Sequence, residues 1–210
     1  LSAIDAQRAT FRDADCVRVH PIITKGGDLV NIVPQEVRME TYVRAKTPAA
    51  ILDAASKVDR ALRGAATALG CKVEIETVPG NLPLENNSGL AAVFRENACR
   101  LFGDDAYGEE PHAGGSTDAG DLSQIMPVLH PMMTGGSGFH HQIDWCIADH
   151  EAGYLAPAKT LAAMAVDLLS AGGEEATRVL SQHHPEMAKE EYLDYQRSIF
   201  QTEVYDGAAG

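Results

Sequence analysis

Two stretches of the 210-residue chain bring together side chains able to do chemistry. The first is Gly114-Gly115-Ser116-Thr117-Asp118-Ala119-Gly120-Asp121, which runs on as Leu122-Ser123-Gln124-Ile125-Met126-Pro127-Val128-Leu129-His130-Pro131. It begins glycine-rich and polar and ends apolar, the pattern of a loop feeding a buried strand. Glycine allows close backbone approach, and free N–H groups in such a loop can bind a carboxylate. A turn that merely stops a strand has the same composition. The second stretch is Phe139-His140-His141-Gln142-Ile143-Asp144-Trp145, a histidine-rich loop before a helix. Neutral imidazole is a common ligand for zinc and manganese, and two adjacent loop histidines are also at home in solvent. Together the two loops read as one side of a metal-dependent hydrolytic site.

The elements that must position these loops follow from periodicity. Ser2 to about Ala14 reads as a helix with Ser2 as N-cap. Cys16 to Ile23 alternates and is β-branched, a strand signal. Gly26-Gly27 makes a turn, Asn31-Ile32-Val33-Pro34 reads as further strand at an edge or bend, and Glu36 to Ala45 is strand again. On that last strand Val37, Met39, Thr41 and Val43 share one face, and Arg38, Glu40, Tyr42 and Arg44 the other. Thr47-Pro48 caps a helix that carries Ile51, Leu52, Ala55, Val58, Leu62, Ala65 and Ala66 and stops at Gly70. Lys72 to Val78 is a strand. This order predicts a small α+β unit, an antiparallel sheet with helices on one face.

Beyond Pro79-Gly80-Asn81 the texture changes. A helix is expected from Asn87 or Ser88 to Leu101, a glycine-rich charged loop over 108–115, a long helix from about Glu151 to Leu169, and an acidic helix from about Glu174 to Phe200 interrupted at Pro185. One strand with three helices does not complete a sheet, so this second part reads as a portion of a larger α/β domain. The expected division is residues 1–80 and 81–210.

Bulk composition narrows the function classes. Thirty acidic against seventeen basic side chains give a net charge of −13. Nucleic acid and anionic membrane surfaces, which need Lys and Arg, are poor partners for such a chain. No apolar run approaches the roughly 20 residues of a membrane span. Cys16, Cys71, Cys99 and Cys146 form no CxxC pair and read as buried, reduced core thiols, which points to the cytoplasm. The chain starts at Leu1 without a basic-then-apolar leader, and a fragment is expected.

The motifs, taken in order, resemble the aminoacylase and carboxypeptidase-G-like metallopeptidases, in particular the amidohydrolase branch of p-aminobenzoyl-glutamate hydrolases and aminoacylase-1-like dipeptidases. The residues carrying the resemblance are Val17-Arg18-Val19-His20, Gly26-Gly27, Asn31-Ile32-Val33-Pro34, Tyr42-Val43-Arg44-Ala45, Gly115-Ser116-Thr117-Asp118 with Gly120-Asp121, and Ala158-Lys159 with Leu161-Ala162. They run in family order over most of residues 2–169. The resemblance implies a lid domain over residues 1–80 and the C-terminal part of an α/β catalytic domain over 81–210. It implies two divalent ions, zinc or manganese, in the complete enzyme. Most of their ligands and the glutamate base would lie in an N-terminal half not contained here, so no ion should bind tightly to this chain.

On the same basis His141, four residues before Trp145, matches the last metal ligand, with His140 as the adjacent fallback. His20 matches a lid histidine that donates to the oxyanion in the partner subunit's site, the place where charge develops. Pro21 departs from the glycine usual after that histidine. Asn31 matches a substrate-binding asparagine, and Arg44 an arginine that holds a substrate carboxylate. Gly115, Ser116 and Thr117 match the loop lining the substrate pocket. The implied function is hydrolysis of the amide of an N-acyl amino acid or dipeptide-like substrate by a homodimer paired through its lid. In that mechanism a metal-bridging water is deprotonated by a glutamate and attacks the amide carbon. Read without the resemblance, Arg44 and His20 can be a solvated strand face, and the chain a non-catalytic dimerisation or small-molecule-binding module. His130 is read as structural, His150, His183 and His184 as helix-surface residues without a role, and His112 as a weak candidate in the charged loop.

Overall fold

The computed structural model describes residues 1–109 and 115–209, and His112 and Gly114 lie outside these described residues. Helices and short antiparallel strand pairs alternate along the chain, a mixed α/β architecture compatible with the α+β class. The described residues form two compact units. Unit 1 holds residues 1–84, 115–121 and 189–209; unit 2 holds 85–109 and 122–188.

Unit 1 is built around a helix and a hairpin. Helix α1 (Ser2–Ala6) leads into strand β1 (Arg18–Lys25), which pairs antiparallel with β2 (Arg38–Arg44). Helix α2 (Pro48–Leu69) follows. The Thr47 hydroxyl accepts the Ala50 N–H at 3.2 Å, Pro48 opens the first turn, and Gly70 ends the helix in the left-handed region at φ 61°. Val58 and Ala61 of α2 bury against Ile4 and Val19, with Met39 and Val43 packed alongside. Strand β3 (Lys72–Thr77) pairs not with the hairpin but with β6 (Gln201–Asp206), from the far end of the chain. The pairing is tied to α2 by an ion pair at 2.7 Å between Arg63 and Glu203. The expected single sheet is thus two separate two-stranded pairs.

Unit 2 packs α3 (Ser88–Phe102) against α5 (Ala156–Leu169), burying Val93, Phe94, Ala98 and Met164. Asn87 caps α3 by accepting the Leu90 N–H at 3.0 Å. Asn97 is fully buried and donates to the Val93 carbonyl at 2.9 Å and to Asp167 Oδ2 at 2.7 Å, while Arg100 donates to its amide oxygen. A buried polar side chain with each hydrogen bond made fixes how two helices meet. Helix α4 (Asp118–Ser123) spans the boundary between the units. The two-residue strands β4 (Gly136–Ser137) and β5 (Cys146–Ile147) close a loop. Helices α6 (Glu174–Gln182) and α7 (Lys189–Ile199) flank the break at Pro185; α6 belongs to unit 2 and α7 to unit 1.

Four further expectations differ from the structure. The cysteines, expected in the core, are exposed at Cys71 and Cys146 and half-buried at Cys16 and Cys99. The first helix ends after Ala6 and gives way to tight turns at Gln7–Thr10 and Asp13–Asp15, where the Thr10 hydroxyl bonds back to the Gln7 carbonyl. Asn31–Pro34 is exposed connection rather than strand. The apolar run after Gln124 forms no strand: Pro127 and Pro131 offer no N–H to a ladder, and the Gln124 carbonyl accepts from Met187 instead.

Two measurements test this packing. Thr47→Ala should cost about 1 kcal/mol of stability in urea titration, the usual worth of a side-chain cap. Asp59 on α2 has its carboxyl pushed above the ordinary 3.8, chiefly by burial and further by Glu203, while Arg63 opposes. Its folded form therefore holds a proton more readily than the unfolded chain, and the penalty grows as pH rises above that ordinary value. Asp59→Asn should melt higher than the parent at neutral pH, and the difference should vanish near pH 3.

Candidate functional site

The hairpin register decides which strand residues share a face. Val19 lies opposite Val43 and His20 opposite Tyr42. Alternation sends Val19 and Val43 into the core and puts His20, Tyr42 and Arg44 together on the other face. The Arg44 guanidinium lies over the Tyr42 ring, 4.7 Å from its centroid. Its Nε is buried without a hydrogen-bond partner. Among the described residues Arg44 makes no salt bridge, so a planar cation is held in place with donor capacity unspent. Tyr42 in turn sits against Gly80, where a Cβ would come within 2.7 Å of its hydroxyl. Alternation alone groups Tyr42 with Arg44, but the stacking of one on the other needed the structure. Asn31 sits in the exposed connection between the strands.

The Gly115–Thr117 loop belongs to the same unit. Ser116 forms an isolated antiparallel bridge with Pro83, and Leu82 and Pro83 are both buried. Thr117 starts the turn into α4: its hydroxyl donates to Asp118 Oδ1 at 2.8 Å, and its carbonyl accepts the Gly120 N–H at 2.8 Å. Gly120 packs so closely on this edge that a Cβ would stand 2.0 Å from the Leu82 carbonyl oxygen. Asp121 Oδ1 accepts the Leu82 N–H at 3.0 Å. Asp121 is part of the motif read from the sequence, yet no pattern there assigned it a partner.

His141 lies in unit 2 and is exposed, in a left-handed turn at φ 64°. Such a backbone is uncommon outside glycine, and histidine is one of the side chains that adopts it most readily. The neighbouring His140 ring instead rests 6.2 Å from Trp145. His150 stacks near Tyr154, and His183 Nδ1 is 3.3 Å from the Asn87 amide nitrogen. His130 gives its backbone N–H to Asn86. Among the described residues no three His, Cys, Asp or Glu side chains converge as metal ligands. One exposed imidazole does not make a two-ion centre, so the described residues do not by themselves fit the metal pair that the resemblance implies.

No family model matches the chain. It is 31% identical over 159 residues to an Xaa-Arg dipeptidase of Mus musculus, a match covering 72% of this chain and 36% of that protein. It is 32% identical over 190 residues to an Xaa-Arg dipeptidase of Homo sapiens, covering 80% of this chain and 42% of that protein. The chain thus spans about two fifths of the length of the curated relatives it matches. This weak, partial homology supports kinship with aminoacylase-like dipeptidases, at the level of a peptidase or amidohydrolase family. No helix among the described residues is long and apolar enough to cross a membrane.

Gly120→Ala tests the close approach that anchors the loop. A methyl group driven into the Leu82 carbonyl should lower stability by about 1–3 kcal/mol, read as a lower urea midpoint at unchanged slope.

Proposed function

We propose that this chain is the lid domain, residues 1–80, and the C-terminal part of the catalytic domain, residues 81–210, of a metal-dependent amidohydrolase. Its substrate is an N-acyl amino acid or a dipeptide-like amide, and the chain alone is inactive. The observation that carries this reading is the similarity to two Xaa-Arg dipeptidases across 72% and 80% of the chain. The hairpin face supports it: Arg44, stacked and with no anionic partner among the described residues, suits a substrate carboxylate. An arginine-terminated dipeptide is the first substrate to try, after the relatives' names.

In this assignment Arg44 and Asn31 orient the substrate, and the backbone of Gly115, Ser116 and Thr117 lines its pocket. His20, exposed on β1, donates to the oxyanion across a homodimer. Ile22, Ile23, Val30, Val33 and Val37 leave a large apolar area exposed on the hairpin and its connection, which supports pairing through the lid. His141 is one ligand to zinc or manganese, and the other ligands and the general base come from polypeptide outside this chain. Four free thiols suit a cytoplasmic setting.

Isothermal titration of zinc or manganese into this chain should find no tight two-ion site; two tightly bound ions would sink the divided-site reading. In the complete enzyme Arg44→Lys should raise KM for an Xaa-Arg dipeptide with little change in kcat, because lysine lacks the bidentate fork. His20→Ala should lower kcat by roughly a hundredfold or more. The opposite split between the two variants would exchange their roles.

A further inference from the structure

The Asp121 carboxyl gathers three stretches that are far apart in sequence. Its Oδ1 accepts the Leu82 N–H at 3.0 Å and the Gln196 side-chain amide at 3.4 Å. Gln196 also donates to the Tyr192 hydroxyl at 3.0 Å, and that hydroxyl favours the charged form of the Asp121 carboxyl. Tyr192 and Gln196 are one turn apart on α7, so both reach the carboxyl from one helix face. Tyr195 adds a ring nearby, and Asp118 is the other charge that acts on the carboxyl. Burial pushes the Asp121 carboxyl above its ordinary range, against the lowering by the Leu82 N–H and Tyr192. A carboxyl in such a place is held by its hydrogen bonds and not by solvent.

These contacts bear on a very short loop. Ser116 is bridged to Pro83, Asp121 is bonded to Leu82, and Gly120 between them touches the Leu82 carbonyl. Both ends of the 116–121 segment are therefore pinned to two adjacent buried residues. One pin depends on the carboxyl that α7 grips. We infer that Asp121, Tyr192 and Gln196 form a positioning cluster through which α7 sets the conformation of the Ser116–Thr117 loop. The cluster touches no substrate, and its role rests on the reading of that loop as substrate-lining.

The test uses the full chain and the variants D121A, D121N, Q196A and Y192F. Amide hydrogen exchange is followed at Leu82 and from Ser116 to Gly120. D121A should speed exchange at both places, by roughly tenfold. D121N keeps an acceptor oxygen and should restore most of the protection. Q196A should speed exchange at both places to a smaller degree and Y192F least, although neither residue belongs to the loop. Faster exchange at Leu82 with an unchanged 116–120 segment would overturn the inference. Should D121A fail to fold, Q196A decides: parental exchange at both places would remove α7 from the account.

The same samples are titrated with N-acetylarginine while the Ser116 and Thr117 amide signals are followed. The parent should respond, D121A and Q196A should bind several-fold more weakly, and D121N should recover. Equal affinity in every variant would overturn the positioning role. A parent whose loop signals ignore the ligand would instead overturn the substrate-loop reading, and the exchange result alone would then decide whether the cluster shapes the loop.

Discussion

Burial of Val19 against Val58 and Ala61 decides which way the β1–β2 hairpin faces. A strand has only two faces, and slipping the register by one residue would exchange them. Once Val19, Val43 and Met39 are held on α2, His20, Tyr42 and Arg44 have no other face to occupy. The polar face of the hairpin is thus a by-product of the apolar one. Its chemistry depends on a helix whose ends are themselves well fixed, by the Thr47 hydroxyl and by a glycine in the left-handed region.

That dependence explains what could be read from the sequence. Helix α2 was legible end to end because its signals are local: a cap, a proline in the first turn, apolar residues at helical spacing and a terminating glycine. The grouping of Tyr42 with Arg44 was legible because a period of two is local as well. The partner of β3 was not. Strand β6 follows an acidic helix, and nothing within reach of a short window connects the two strands. The stretch from Ile125 to Leu129 misled for a different reason. A short apolar run suits a buried strand or an irregular segment equally, and Pro127 within it and Pro131 after it decide.

For the candidate site the sequence supplied residue types, and the fold supplied company. His20 and Arg44 meet on one face, whereas Asn31 lies on the connection between the strands. The Ser116 loop draws its order from Leu82 and Pro83, more than thirty positions upstream, as the separation of 39 between Leu82 and Asp121 records. Its grip by a helix near the end of the chain has no local signature. Side chains such as Asp121, Tyr192 and Gln196 look like ordinary solvated groups until their neighbours are known.

The pairing of β3 with β6 has a consequence for how the molecule is made. Arg63 and Glu203, which tie that pair to α2, stand 140 positions apart. On the ribosome, β3 emerges long before its partner and must wait with an unpaired edge. Contacts of such long range slow folding and leave intermediates exposed to other chains. Shortening the last ten residues would therefore leave β3 as a permanent open edge, and the damage would fall on solubility as well as on stability.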